Sequence, residues 1–165
     1  MQLPTPQVYA LRLGARATYQ VVLNGTDRKG FTNPATLKCP KLYVVTRLKE
    51  IHYVGVTNRP MSVRINFGLK AKGKGGYHGY QWKSIRDPLR LLVWSFATES
   101  GKPFLRELET VEAELAFLIR KDTGRWPLSQ TEIHFYQATP AHLTAVSAIF
   151  ALINTRVRDE FFRSD

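Results

Sequence analysis

The chain has little cysteine and little negative charge. Its 165 residues include one cysteine, Cys39, and 13 Asp and Glu against 24 Lys and Arg. A single cysteine excludes an internal disulfide, and no group of Cys and His has the spacing of a zinc site. The sequence also lacks a Gly-rich phosphate-binding loop and a dinucleotide fingerprint, so nothing indicates nucleotide-driven work.

Long hydrophobic runs are missing as well. No apolar stretch reaches the ~18 residues of a membrane-spanning helix, and residues 1–4 do not begin a basic and apolar leader. The sequence therefore predicts a cytoplasmic, intracellular protein with no membrane partner. A length of 165 residues is enough for one domain with a hydrophobic core and too short for two ordinary ones, so we expect a single domain, residues 1–165.

What the chain has in excess is positive charge, and this charge is unevenly placed. Residues 1–106 carry 18 Lys and Arg against 4 Asp and Glu, whereas residues 107–165 carry 6 against 9. The formal net charge is +11. A cationic surface attracts polyanions and binds them in a strongly salt-dependent way. We therefore expect the first two-thirds of the chain to form the surface that faces a polyanion.

Two tyrosines lie in a predicted β-hairpin. Residues 41–45 and 51–54 have the pattern of two short strands, and residues 47–50 predict the turn between them. Such a hairpin would make Tyr43 and Tyr53 near neighbours. Gly55 permits a close approach or an unusual backbone angle where the second strand leaves the sheet.

An arginine follows on a predicted helix. Asn58 and Pro60 are typical of a helix start, and the next residues have one to two turns of helical pattern, which would place Arg64 near the strand ends. In order and spacing, Leu42-Tyr43, Tyr53-Val54-Gly55 and Arg64 resemble the core of the GIY-YIG nucleases. Lys41 stands where that family has glycine, and Leu42 where it has isoleucine.

The resemblance covers about residues 41–135 and implies an α+β fold. Its core would be a small three-stranded antiparallel sheet flanked by helices. Residues 1–40 would add an N-terminal β extension, and residues 136–165 a C-terminal helix. The implied activity is hydrolysis of DNA phosphodiester bonds with one divalent cation, Mg²⁺ or Mn²⁺.

The resemblance also implies a metal-binding carboxylate on a later helix. Within residues 111–119, Glu112 fits the first glutamate of the family pattern, and Glu114 is the alternative. Two positions apart on a helix, they diverge by roughly 200°, so only one can face the site. Gln130 lies roughly where the family has a late asparagine.

Further roles follow from the same resemblance. Tyr43 would be the general base or would orient the attacking water, with Tyr53 as its partner, and Arg64 would stabilise the phosphate. His78, or Tyr77 beside it, would aid proton transfer. A phenol has a pKa of about 10, so the cation and the arginine would have to lower the pKa of Tyr43.

A lysine-glycine segment precedes three aromatic residues. Lysines that contact phosphates, followed by rings that stack on bases, predict a nucleic-acid clamp, and the alternative is a solvated loop. The clamp residues would be Lys70, Lys72, Lys74, Tyr77, Tyr80 and Trp82.

The sequence thus predicts a divalent-metal-dependent DNA endonuclease, of the restriction, phage or mobile-element, or repair type. The alternative is a catalytically silent nucleic-acid-binding module with a nuclease-like fold. One active site cuts one strand, so the protein would act on DNA as a monomer or as a homodimer.

Overall fold

Five antiparallel strands form one sheet in the computed structural model, which describes residues 1–99 and 101–159. The strands are β1 (Gln7–Leu13), β2 (Tyr19–Leu23), β3 (Lys41–Arg47), β4 (Glu50–Thr57) and β5 (Leu89–Ser95), in the spatial order β2-β1-β5-β3-β4. The helices are α1 (Met61–Lys70), α2 (Gly101–Thr123) and α3 (Pro140–Asp159). The protein is therefore α+β, as the sequence predicts.

The sheet is larger than the predicted three strands. β3 and β4 are the predicted hairpin and β5 is the third strand beside them, but β1 also pairs antiparallel with β5 and β2 pairs with β1. The N-terminal extension therefore joins the core sheet. Tyr9 and Leu11 of β1 are fully buried in the same hydrophobic core as Leu91 of β5, and this burial favours the pairing of the two strands.

Each face of the sheet is covered by helices. Strand alternation places Leu42 and Val44 in the core against α2 and α3, and Tyr43 and Val45 in the core against α1. β3 lies between β5 and β4 and is buried on both faces. A short segment of β3 therefore contacts both hydrophobic cores.

The last helix lies within the residues 136–165 for which a C-terminal helix is predicted. It starts at Pro140, where the Thr139 N–H donates to His142 Nδ1 at 3.0 Å. The other ring nitrogen of His142 donates to Glu107 Oε2 on α2 at 2.7 Å. These bonds fix the start of α3, and the predicted residues 160–165 lie outside the described ranges.

Among the helices that the structure describes, none combines the length and the hydrophobicity of a membrane-spanning segment.

β4 is an edge strand, and a later segment closes its free edge. The N–H groups of Leu128 and Ser129 donate to the carbonyls of Ile51 and His52 at 3.0 and 2.7 Å. The side chain of Gln130 then accepts the N–H of Val54 at 3.0 Å. Free strand edges otherwise expose unpaired backbone groups. This closure places Gln130 next to β4.

Lys41 begins β3 as a fully buried cation. Its Nζ donates to the carbonyls of Leu37, Cys39 and Arg59 at 2.6, 2.8 and 3.2 Å. Burial lowers the pKa of Lys41, while the neighbouring Cys39 opposes this change. A buried charge needs such partners, so Lys41 joins the segment before β3 to the segment between β4 and α1.

Replacing Lys41 by methionine keeps an unbranched side chain but leaves three carbonyls without their donor. Since hydrogen bonds to charged groups contribute about 1.5–3 kcal/mol each, we expect the free energy of unfolding to fall by about 2–3 kcal/mol after part of the desolvation cost is recovered. Urea unfolding at pH 7 measures this, with the exposed Lys38→Met as control. Equal stability of the two variants would contradict a structural role for the ammonium group.

Candidate active site

Arg64 on α1 reaches back to the sheet. Its Nε donates to the hydroxyl of Tyr43 on β3 at 3.0 Å, and its Nη1 donates to the hydroxyl of Tyr77 at 3.3 Å. Burial by itself lowers the pKa of Arg64, but the surrounding tyrosines raise it, so the guanidinium stays protonated. Two tyrosine hydroxyls thus hold one cationic group in place.

Gly55 allows the two predicted tyrosines to meet. In the β3–β4 register Tyr43 lies opposite Gly55, and the rings of Tyr43 and Tyr53 have centroids 5.9 Å apart. A Cβ atom at Gly55 would lie 2.6 Å from Tyr43 Cζ and 2.5 Å from Tyr53 Cε1, closer than packed side chains allow. The glycine is therefore required by the space that the rings occupy.

Tyr80 and Trp82 belong to the core, which corrects the prediction that they stack on nucleic acid. Tyr80 is 2% exposed and Trp82 is fully buried, and their rings stack with centroids 4.3 Å apart. The Tyr80 ring fills the space that a side chain at Gly68 would need, so it packs beneath α1. Its hydroxyl shares a hydrogen bond of 3.0 Å with Tyr43. Tyr80 supports the site from within.

Of the two candidates between the arginine and the glutamate, the structure brings Tyr77 to the site. The Tyr77 hydroxyl contacts Arg64, whereas His78 is exposed and its ring lies beside Gly73. The Gly73 N–H donates to the Tyr77 carbonyl at 3.0 Å, and the backbone of Tyr77 is extended. Adjacent side chains of an extended segment point to opposite sides, so Tyr77 and His78 do not face the same group. The structure therefore does not support His78 as the proton-transfer group.

The lysines of the same segment lie at the surface. Lys70, Lys72 and Lys74 are all exposed. Two short 3₁₀ turns, Lys74–Gly76 and Gln81–Ser84, lie in and just after this segment. Exposure of the lysines is compatible with phosphate contacts and with a solvated loop.

Glu112 on α2 approaches from the other face of the sheet, around the edge strand β4. Burial raises the pKa of Glu112 to about 8, and the charge of Glu109 adds to this, while Arg64 and a hydrogen bond with Gln130 oppose it. Burial raises the pKa of Tyr53, and the charges of Tyr43 and Glu112 add to this. Between the two candidate carboxylates, Glu112 is thus the one that interacts with Arg64 and Tyr53.

Two acidic residues near Glu112 are absent from the sequence-based prediction. The charges of Glu109 and Glu132 both raise the pKa of Glu112. Glu109 lies one helical turn before Glu112, a spacing that could have indicated it. No sequence signal identifies Glu132, because its position depends on how residues 128–130 follow β4.

The tyrosines are neutral at physiological pH. Burial, together with the neighbouring Tyr80, raises the pKa of Tyr43 well above its ordinary value, and the opposing effect of Arg64 is smaller. Arg64 does lower the pKa of Tyr43, in the direction expected of it, but burial has the larger effect in the protein without a cation. Tyr43 is also fully buried, whereas Tyr53 is half-buried. Of the two, Tyr53 is the phenol that solvent can reach.

The surroundings of Glu112 are closer to a Mg²⁺ site, which needs few protein ligands, than to a site in which the protein supplies all the ligands. The described residues contain no group of three or more His, Cys, Asp or Glu side chains that could hold a metal ion. Mg²⁺ usually keeps several waters and takes one or two protein carboxylates together with phosphate oxygens. The carboxyl group of Glu112 could supply one such ligand.

No protein-family model matches the chain, and no curated protein or solved structure matches it either. The fold and the site define an α+β protein with a half-buried arginine, a half-buried glutamate and tyrosine hydroxyls around the edge of β4. This grouping offers a fixed positive charge, neutral hydrogen-bonding groups and a cation ligand. Such a set suits a phosphate ester.

The raised pKa of Glu112 makes stability depend on pH. Its carboxyl has an ordinary pKa of 4.5 and a value of about 8 in the folded protein, so folding favours the protonated form. That contribution is complete below about pH 4.5 and is lost as pH rises through about 8. Since glutamine stays neutral, the melting temperature of Glu112→Gln relative to the parent should rise between pH 5 and pH 9.

Thermal melts of both proteins across this range measure the effect. Glu114→Gln on the same helix is the matched control, and its difference from the parent should change less with pH. A Glu112→Gln difference that is independent of pH would show that the carboxyl titrates normally.

Proposed function

We propose that the protein is a divalent-metal-dependent endonuclease that hydrolyses DNA phosphodiester bonds, with a GIY-YIG-like core. One observation carries the proposal. Tyr43, Tyr53, Arg64 and Glu112 come from β3, β4, α1 and α2 and interact around one edge of the sheet. These residues are also the ones to which the GIY-YIG resemblance assigns the chemistry. A restriction, phage or mobile-element, or repair nuclease would all use such a site.

Arg64 stabilises the phosphate in this mechanism. A guanidinium has five N–H donors, and the bonds to Tyr43 and Tyr77 use two of them. The remaining donors are available to the oxygens of a phosphodiester, where negative charge increases in the transition state. Because Tyr43 and Tyr77 fix the guanidinium beforehand, little reorganisation is needed when the substrate binds.

The two tyrosines have different roles. Tyr43 is fully buried and accepts the Arg64 Nε–H, so it is a positioning residue and not the base. Tyr53 is half-buried beside Glu112. As a neutral phenol, the Tyr53 hydroxyl can donate to or accept from a water molecule and orient it toward phosphorus, but it is not a phenolate that removes a proton.

Glu112 would hold the divalent cation. When bound, that cation would neutralise negative charge on the phosphate and the leaving oxygen. The hydrogen bond with Gln130, whose Oε1 accepts from Val54, fixes the carboxyl against β4. Since Glu112 has a pKa of about 8, cation binding must compete with a proton and should strengthen as pH rises through this value.

DNA is the proposed partner because the segment around Arg64 is free of negative charge. Between Glu50 and Asp87 the sequence has seven Lys and Arg and no acidic residue. This segment contains α1, the Lys-Gly loop and the end of β4. A surface of this kind binds phosphates with little dependence on base sequence.

A second function is a nucleic-acid-binding module that does not cut. The observation in its favour is that burial keeps Tyr43 and Tyr53 neutral and keeps much of Glu112 protonated near neutral pH in the metal-free protein. Addition of Mg²⁺ separates the two functions, because only the nuclease converts supercoiled plasmid DNA to nicked or linear forms.

Replacing Glu112 by glutamine should abolish Mg²⁺-dependent nicking of supercoiled plasmid. The change removes the ligand charge at constant size, so we expect at least about a 100-fold loss of rate with DNA affinity in EDTA nearly unchanged. Gel assays of plasmid cleavage and fluorescence anisotropy measure the two effects. Glu114→Gln, the control, should cut within a few-fold of the parent; if it loses activity while Glu112→Gln keeps it, the ligand is Glu114.

Replacing Lys70, Lys72 and Lys74 together by glutamine should weaken binding to all DNA sequences. Each lost phosphate contact should reduce the slope of log affinity against log salt by up to about 0.9. The control replaces three exposed basic residues of the N-terminal region, Arg12, Arg28 and Lys29, which removes the same charge at another place. Equal salt slopes for the two triple variants would show that the loop lysines do not contact DNA.

A further inference from the structure

Two planar cations and two aromatic rings form a stack that ends at the candidate active site. The guanidinium of Arg59 lies 5.4 Å from the ring centroid of Phe67. The Phe67 ring stacks on Tyr77 with centroids 5.1 Å apart and 11° between the planes. The guanidinium of Arg64 lies 5.9 Å from the Tyr77 ring. The stack therefore connects the surface of α1 to the arginine that would hold the phosphate.

Phe67 is a large hydrophobic residue that lies at the protein surface. Its side chain is 48% exposed on the same side of α1 as Val63, one turn earlier, which is 47% exposed. The other stacked pair that follows this helix, Tyr80 and Trp82, is buried. Hydrophobic burial explains Tyr80 and Trp82, but it does not explain an exposed, ordered ring beside an active-site tyrosine.

Hydrogen bonds of its backbone groups fix the position of Arg59, the first residue of the stack. The Arg59 carbonyl accepts from the buried Lys41 Nζ at 3.2 Å, and the Arg59 N–H donates to Thr57 Oγ1 at 3.1 Å. These bonds fix the position of Arg59, while its side chain is exposed. The guanidinium thus lies over Phe67 from a rigid attachment point.

A cationic groove continues from Arg59 away from the site. The groove has a volume of about 550 Å³ and lies between the start of α1 and the start of α2. Lys38, Arg59 and Lys102 contribute positive charge to it, and Val63 contributes an apolar wall. Among its described lining residues none is acidic. A phosphate backbone could therefore follow the groove to the stack.

We propose that Phe67, with Tyr77 stacked behind it, is a stacking platform for an unpaired base of the DNA strand whose phosphate meets Arg64. The base would take the place of the exposed Arg59 side chain on the outer side of the Phe67 ring. The proposal rests on the proposed nuclease function and names its substrate class: DNA that is single-stranded at or beside the cleaved bond. An unpaired base offers a free π-face to an exposed ring, and such stacking contributes about 1–3 kcal/mol per base. In a duplex the bases cover one another, so Phe67 would find only backbone.

Charge complementarity favours nucleic acid over an apolar protein segment as the occupant. Phe67 is flanked by Arg59 and Arg64, and Lys70 follows within one turn. An apolar segment would have to desolvate these cations without neutralising them. A nucleotide supplies both the ring that Phe67 can stack on and the phosphate that the arginines can bind.

Binding of a short single-stranded oligonucleotide and of its duplex, measured by fluorescence anisotropy with the full chain in EDTA, tests the platform without cleavage. Phe67→Ala should weaken single-strand binding by about 5- to 150-fold, the equivalent of one stacked base. Duplex binding should change by less than about twofold. Leu143→Ala removes an apolar side chain of α3 that is also 48% exposed but lies outside the groove and the stack, so it should leave both affinities unchanged.

Phe67→Trp provides a rescue variant, because it keeps an aromatic face. It should restore single-strand binding and should quench a 2-aminopurine base in the oligonucleotide, whereas Phe67→Ala should not quench it. Equal losses on single strand and duplex, no loss on either, or a matching loss in Leu143→Ala would each overturn the platform.

The outcomes also separate this inference from the proposed function. If Phe67→Ala leaves single-strand binding intact while the parent nicks plasmid with Mg²⁺, the platform is wrong and the nuclease stands. If the parent does not cut DNA but shows the Phe67-dependent preference for single strands, the nuclease is wrong and the platform belongs to a binding protein.

Discussion

The hydrogen bond from Arg64 Nε to the Tyr43 hydroxyl joins α1 to the centre of the sheet, and the rest of the site depends on it. For Tyr43 to reach the arginine, its ring must pass over the residue opposite it in β4, and only glycine at position 55 leaves that space. Tyr80 then supports the Tyr43 hydroxyl from below the helix. The half-buried guanidinium of Arg64 needs hydrogen-bond acceptors in place of the water it has lost. The tyrosine hydroxyls supply them, and so they both stabilise and orient the guanidinium.

The site is formed around an edge of the sheet. Arg64 lies on the face covered by α1, and Glu112 belongs to α2 on the opposite face, so the two can interact only past the outer strand β4. Gln130 both pairs with the β4 backbone and bonds to Glu112. The raised pKa of Glu112 is the cost of placing a carboxyl in this confined position. A divalent cation there would replace a proton, which would link the proposed activity to pH.

Much of the fold could be predicted because its signals are local. Short strand-like runs identify β3 and β4, and Asn58 and Pro60 indicate that a helix follows, which is α1. The pairing of β1 with β5 could not be predicted, because it joins residues about 80 positions apart and leaves no local pattern. The prediction that Tyr80 and Trp82 contact nucleic acid is wrong for a related reason. An aromatic residue after a Lys-Gly segment has the same sequence pattern whether it packs against a helix or faces solvent.

The sequence by itself determined the residue types at the site, the order of Tyr43, Tyr53, Gly55 and Arg64, and the excess of positive charge in the segment around them, because these properties are fixed by covalent order and composition. Only the tertiary structure decided which side chains meet. It placed Tyr77 and not His78 at Arg64, brought Glu112 close enough to Arg64 for their charges to interact, buried Tyr43, and left Phe67 exposed. Each of these outcomes depends on how helices and loops pack across both faces of one sheet, and burial and pKa are properties of that packing rather than of the residues alone.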